Sequence, residues 1–303
     1  MKIKLKNYWP HILAFVIVVF WAINTSVDTM KWDMRRQELD NELYSQHCMN
    51  LGENTTEDLA KTCAKVEKRR NQTYSFFPLL SEEIDFRFRV SPTVFILLII
   101  VPSGMYISKY LKNRILLTEN NRQSYKKSLR KAFKKSYAMA FVLPATLLLV
   151  FALFFWYTKS FNFSSFEDYT MTPWRLETMK YPLLFLGSWL LNTTMICLFY
   201  VNCNLFISRK FHNYFISTIL TFLMIIGIEL FFEIVVNSLI CRLIFHSEIG
   251  IIFNIFSLHT FLDSFGVLPT LTFSTVLCIL SFVAVGLAYR NKEKLVLDCE
   301  KNI

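Results

Sequence analysis

Long apolar runs alternate along this chain with short charged ones, and the apolar runs exceed what a soluble core helix needs. Windows at about residues 11–27, 92–110, 136–157, 182–207, 214–241 and 268–289 are nearly free of charge. Crossing a bilayer takes about 20 mostly apolar residues, because the hydrocarbon core is about 30 Å thick and an α-helix rises about 1.5 Å per residue. The pattern therefore predicts an all-α, polytopic membrane protein with six transmembrane helices. Residues 28–91 break the rhythm. Met30, Met34, Leu39 and Leu43 fall at near-helical spacing among charges, and a turn-rich NLGEN follows. TTEDLAKTCAKVEKRR then starts with a Thr cap and early acids. A paired helical hairpin outside the membrane is expected there.

The link between the fifth and sixth windows, residues 242–268, is apolar but interrupted by His246, Glu248, Asn254, His259 and Asp263. A single crossing by this link would put the later segments on the wrong side of the charge pattern. Two short re-entrant helices, broken near Ser257 or Leu258, fit better, because irregular backbone at membrane depth must be covered by protein or line a cavity. No repeat or long linker divides the chain. Residues 1–303 read as a single transmembrane domain with an outer elaboration at 28–91.

Composition strengthens the membrane reading. Of the 303 residues, 53% are hydrophobic, with 30 Phe against 7 Gly and 8 Pro. The net charge of +10 would suggest nucleic acid in a soluble chain, but its placement points instead to topology. Lys2, Lys4 and Lys6 precede the first window, a basic block follows the second, Arg209 and Lys210 follow the fourth, and Arg290, Lys292 and Lys294 follow the sixth. All fall on one side if both termini are cytoplasmic, so the predicted orientation is N-in/C-in, with no nucleic-acid partner. The basic start MKIKLK resembles a cleavable leader, but no small-x-small site follows, so the first window reads as a retained anchor. Cys48 and Cys63 alone lie in the outer segment. In an oxidising compartment a bridge between them would close a loop of about 15 residues, worth about 3 kcal/mol in the chain-entropy model, and two free thiols are the alternative.

The basic block at residues 109–135 holds ten Lys or Arg against Glu119. Within it Tyr125, Leu129, Ala132, Phe133 and Tyr137 form one narrow apolar stripe on an otherwise basic helix. Two readings stay open: a helix resting on anionic membrane lipid, or a docking helix whose stripe fills a groove on a cytoplasmic partner.

The layout resembles the membrane subunit of ABC-2-type (type V) ABC exporters. The resemblance rests on the basic MKIKLKNYWP start, the outer insert, the basic helix between spans two and three, the short RKFHN turn between four and five, and the re-entrant segment before the last span. It implies that residues 111–135 form the coupling region. Tyr125, Leu129, Arg130 and Phe133 in the 124–135 helix would meet a cytoplasmic ABC ATPase subunit, and residues 2–9 would form a connecting helix. It also implies a second permease subunit, identical or related, and a bacterial cytoplasmic membrane location. No G-x-x-x-x-G-K-[ST] loop is present, so no cofactor is expected on this chain, and ATP and Mg would sit on the partner. The chain itself would be no enzyme. The function so implied is ATP-driven export of an amphipathic peptide, antimicrobial or lipid-like substrate. A membrane sensor or scaffold with a ligand-binding outer hairpin is the alternative, and a membrane-embedded enzyme is a third class that would need a convergent polar cluster.

Glu229 and Glu233, with Asn237 one turn on, share a helical face within the fifth span. A mid-span carboxylate costs at least about 2.5–3.5 kcal/mol, so it usually faces protein or water. The three residues are candidates for a translocation path, for hydrogen bonds to other helices, or for a wet site near the outer end. His246 with Glu248 and His259 with Asp263 lack metal-site spacing, and no metal is expected.

Overall fold

The computed structural model describes residues 9–49, 57–71, 92–112, 124–159, 182–247, 254–255 and 267–291. All regular elements among them are helical. In chain order they are α1 (Trp9–Leu43), α2 (Glu57–Asn71), α3 (Pro92–Lys112), α4 (Tyr125–Ala138), α5 (Val142–Thr158), α6 (Pro182–Ser208), α7 (Tyr214–Leu230) and α8 (Val267–Ala288). Six helical stretches among the described residues are long and apolar enough to cross a membrane, one in each predicted window. The chain has the character of a multi-pass membrane protein.

Local chemistry sets several helix ends. Proline opens α3 and α6, where the first turn has no use for its missing N–H. Asn213 caps α7, its side chain accepting the N–H of Phe215 at 3.0 Å. Lys159 closes α5 in the left-handed region at φ 51°. Pro144 lies in the first turn of α5, directly after the tight 3₁₀ turn Met139–Phe141, and there its missing N–H is readily tolerated. α4, that turn and α5 follow one another without a break from Tyr125 to Thr158.

α6 is the centre of the bundle and packs against α8, α3, α7 and α5. Trp189, Ile196, Val201 and Leu205 on it have no exposed surface. A mostly apolar helix with no strongly polar face suits that place. α1 packs on α5 and α3, with Ala14, Val18 and Ala22 buried one turn apart. Small side chains at that spacing let helix backbones approach closely. Trp21 meets Phe95 edge-on at 5.0 Å to join α1 to α3.

α1 has 35 residues, well beyond the length of one crossing, so its second half projects past the membrane. That extension runs through wide turns at Tyr44–Cys48 and packs on α2. A disulfide joins Cys48 to Cys63, with Cα atoms 5.5 Å apart. Asp33 is buried in the extension and pairs with Arg36 at 3.0 Å. Burial pushes the Asp33 carboxyl up from its ordinary value, and Arg36 opposes the shift.

Of the link between the last two spans, residues 242–247, Asn254, Ile255 and the start of α8 are described. After α7 the helix widens into π-type turns over Phe231–Ile244, closed by the Phe245 N–H donating to the Ile240 carbonyl at 3.1 Å. Ile255 is fully buried, with its backbone N–H bonded to Glu229, well before the end of that helix. Glu248, Ser257, Leu258, His259 and Asp263 lie outside the described residues, as do the proposed connecting helix up to Tyr8 and the turn at residues 50–56.

Candidate functional site

α4 is the basic helix expected from the sequence, and its apolar stripe is turned into its own chain. Phe133 is buried and meets the ring of Tyr289 edge-on at 4.9 Å. Tyr125 donates its hydroxyl to the Tyr289 carbonyl at 2.7 Å, which ties the first turn of α4 to the end of α8. Leu129 is half-buried, whereas Arg130 is exposed together with Lys126, Lys127, Lys131 and Lys134. Of the four residues expected to meet an ATPase, Arg130 alone faces fully outward. The reason is packing: an amphipathic helix beside a membrane bundle buries its aromatics on the nearest apolar surface, here the end of α8.

The far end of α4 is held as firmly. The Ser136 hydroxyl donates to the Ser103 carbonyl in α3 at 3.0 Å, and the His11 Nε2–H donates to the Lys135 carbonyl at 2.7 Å. The Tyr137 hydroxyl donates to Asn202 Oδ1 in α6 at 2.9 Å. Asn202 Nδ2 passes the connection to the Ser281 hydroxyl in α8 at 2.9 Å. The Arg209 Nε–H donates to the Ala288 carbonyl at 3.2 Å. The start of α1 and the basic ends of α3, α4, α6 and α8 thus gather at one end of the bundle.

Two residues beyond Asn202 is a buried polar hub that the sequence reading missed. Asn204 Nδ2 donates to the Ser103 hydroxyl at 2.8 Å and to the Ile100 carbonyl. Its Oδ1 accepts from Ser208 at 3.2 Å and from Ser217 at 3.3 Å. Side chains of α3, α6 and α7 therefore meet at one amide. Gly104 makes room for it, since a Cβ there would lie 3.0 Å from Asn204 Nδ2. The available signal was polar asparagine inside an apolar span.

The expected acidic face divides in two. Glu229 is buried, and its Oε2 accepts the backbone N–H of Ile255 at 2.7 Å. A backbone N–H buried away from water requires such an acceptor. Glu233 is half-buried in the wide-turn segment, where its Oε1 accepts from Asn237 Nδ2 at 3.2 Å and its carbonyl from Ser238 at 3.0 Å. The Asn237 Oδ1 is buried with no partner among the described residues. Glu229 thus anchors the returning chain, while Glu233 and Asn237 form a separate pair. No group of three or more His, Cys, Asp or Glu among the described residues is arranged to hold a metal.

Comparison with protein-family models, with curated proteins and with solved structures returns no match for this chain. What it does is therefore argued from its own geometry.

Proposed function

We propose that the chain is the membrane subunit of an ATP-driven exporter of the ABC-2 type, energised by a separate ATPase that docks on α4. The observation that carries this reading is the unbroken path from Tyr125 to Thr158, held to α8 through Tyr125 and Phe133, to α3 through Ser136 and to α6 through Tyr137. A displacement of the basic helix is delivered to three spans at once. That linkage is what a transporter needs when its energy source lies outside the membrane. The docking surface is revised by the packing: the exposed bases Lys127, Arg130 and Lys131 receive an acidic face of the ATPase, and the aromatics transmit the movement inward. ATP and Mg are bound by the ATPase. Two membrane subunits, identical or related, would enclose the route in a bacterial cytoplasmic membrane. Both chain termini would be inside and the disulfide-closed hairpin outside.

The substrate class is an amphipathic molecule, and Glu233 with Asn237 is the polar pair offered to its cationic part. A specific observation favours the sensor or scaffold as second reading: the hairpin of α1 and α2 is closed covalently and continuous with the first span.

Detergent pull-down of the tagged full chain separates the two. Under the exporter reading an ATP-hydrolysing subunit co-purifies, and Lys127→Glu with Arg130→Glu and Lys131→Glu abolishes its recovery while the chain still folds. If gentle solubilisation recovers no ATPase, or the charge-reversed chain retains it fully, α4 is not its dock and the sensor reading takes precedence.

A further inference from the structure

One flank of α4 is an open groove of about 910 Å³ with three chemically distinct parts. Lys126, Arg130 and Lys134 stand one turn apart along its wall, and no carboxylate lines it. Leu129, Phe133 and Tyr137 form its floor. Ala138 and Phe141 form its mouth, at the start of the membrane-crossing part of the same helix.

The mouth does not end in water. Phe141 is 56% exposed, and Leu148 and Phe155, at successive seven-residue steps, are 49% and 39% exposed. Seven residues are nearly two full turns, so the three side chains line one face over about 21 Å. A row of three cations therefore leads without interruption into an apolar strip that faces the hydrocarbon.

We infer that this groove holds one anionic phospholipid of the adjacent leaflet. Its phosphate lies between Lys126, Arg130 and Lys134, and one acyl chain passes over Ala138 and along Phe141 and Leu148. Charge complementarity selects the anion, and continuity with the strip selects a lipid over a soluble phosphate or an acidic peptide. The site shares only Arg130 with the proposed ATPase dock, because Lys127 and Lys131 lie outside the groove lining. It requires no exporter activity. Its floor reaches the bundle interior, since Tyr137 donates to Asn202 and stacks on Phe282 with centroids 5.7 Å apart. A bound lipid thus braces the junction of α4, α6 and α8.

The full chain, purified in detergent and stripped of lipid, is titrated with phosphatidylglycerol and with phosphatidylcholine of the same acyl chains, and with glycerol phosphate as a headgroup without chains. Bound molecules are counted by native mass spectrometry, and the unfolding midpoint is followed in parallel. The expected result is one retained phosphatidylglycerol, a raised midpoint, and at least tenfold weaker binding of the other two probes. Lys126→Gln with Arg130→Gln and Lys134→Gln lowers the affinity about 100-fold, on the order of one Lys or Arg contribution per base. Ala138→Trp fills the mouth, leaves every charge in place and also weakens binding. Lys127→Gln with Lys131→Gln leaves binding within about threefold of the unaltered chain, well below a tenfold effect. Equal binding of phosphatidylcholine, equal binding of glycerol phosphate, or an equal loss in the Lys127 and Lys131 variant overturns the site.

Discussion

Gly104 and Asn204 illustrate how one backbone approach decides the packing of three spans. A methyl group at position 104 would sit 3.0 Å and 3.3 Å from the two amide atoms of Asn204 and 3.3 Å from Thr218 Oγ1. Asn204 cannot yield easily, since its amide is already bonded to Ser103, Ser208 and Ser217. Gly104→Ala is therefore expected to destabilise the bundle by about 1–3 kcal/mol, the usual range for overpacking. Gly227→Ala and Gly286→Ala, where nothing lies within 4 Å of the added atom, are expected to be neutral or slightly stabilising. Thermal unfolding in detergent would rank the three. The two carboxylates of the fifth span separate in the same way. Glu229→Gln keeps an acceptor for the Ile255 N–H but loses its charge, and Glu229→Ala removes the acceptor. The Ala variant should cost about 1–3 kcal/mol more than the Gln variant, and hydrogen exchange at Ile255 reports the difference directly. Glu233→Gln should change stability little and, under the exporter reading, lower transport of a cationic substrate. Neither partner of Glu229 nor the hub at Asn204 was legible in the sequence. Spacing along one helix says which residues share a face, and not which backbone group from a distant segment will arrive opposite them.

The helical elements themselves were far easier to read. The hydropathy windows and the six long apolar helices coincide, because the bilayer imposes a length and an apolar character that any chain must meet. The amphipathic pattern of α4 was equally plain, while its orientation was not. The same stripe serves burial on Tyr289 as well as burial on a partner, and proximity to α8 decides. The widening over Phe231–Ile244 had no signal at all, since nothing in that composition distinguishes wide from regular helical turns. In the hairpin of α1 and α2, Asp33 supplies a pH test of the extension of α1. Its carboxyl is raised in the folded state, so the folded chain holds that proton more tightly than the unfolded one. The stability it contributes is fully present below the unfolded carboxylate value and is lost as pH rises through the folded one. The hairpin should therefore loosen as pH rises above the ordinary carboxylate value and through the raised one, and Asp33→Asn should flatten that dependence. Amide exchange in α1 and α2, followed with Cys48 and Cys63 oxidised, would show it.

For the molecule as a whole, α6 is the central helix of the bundle and joins α4 to α8 through buried hydrogen bonds. Tyr137 reaches Asn202, and Asn202 reaches Ser281. Tyr289, at the end of α8, returns a hydroxyl bond to the Leu205 carbonyl of α6 at 2.9 Å. The basic helix, the central helix and the last helix thus form a closed loop of contacts, and a change at one member must be accommodated by the other two. Tyr137→Phe tests whether this loop carries movement or only holds shape. The ring contacts with Phe133 and Phe282 survive the change, and only the hydroxyl is lost. The Asn202 Oδ1 then loses its hydroxyl donor inside the bundle, at a cost of about 1–3 kcal/mol. A purely structural bond would lower the unfolding midpoint and leave transport per folded molecule unchanged. Under the exporter reading, in a coupling loop the exposed bases proposed to receive the ATPase are untouched, so its recovery in a pull-down stays intact while ATP hydrolysis no longer drives substrate movement. The expected outcome is the second: retained partner, with transport per ATP hydrolysed reduced about tenfold, equivalent to about 1.4 kcal/mol of lost coupling. Equal loss of partner and of transport would place Tyr137 in docking instead, and unchanged transport per folded chain would restrict the loop to stability.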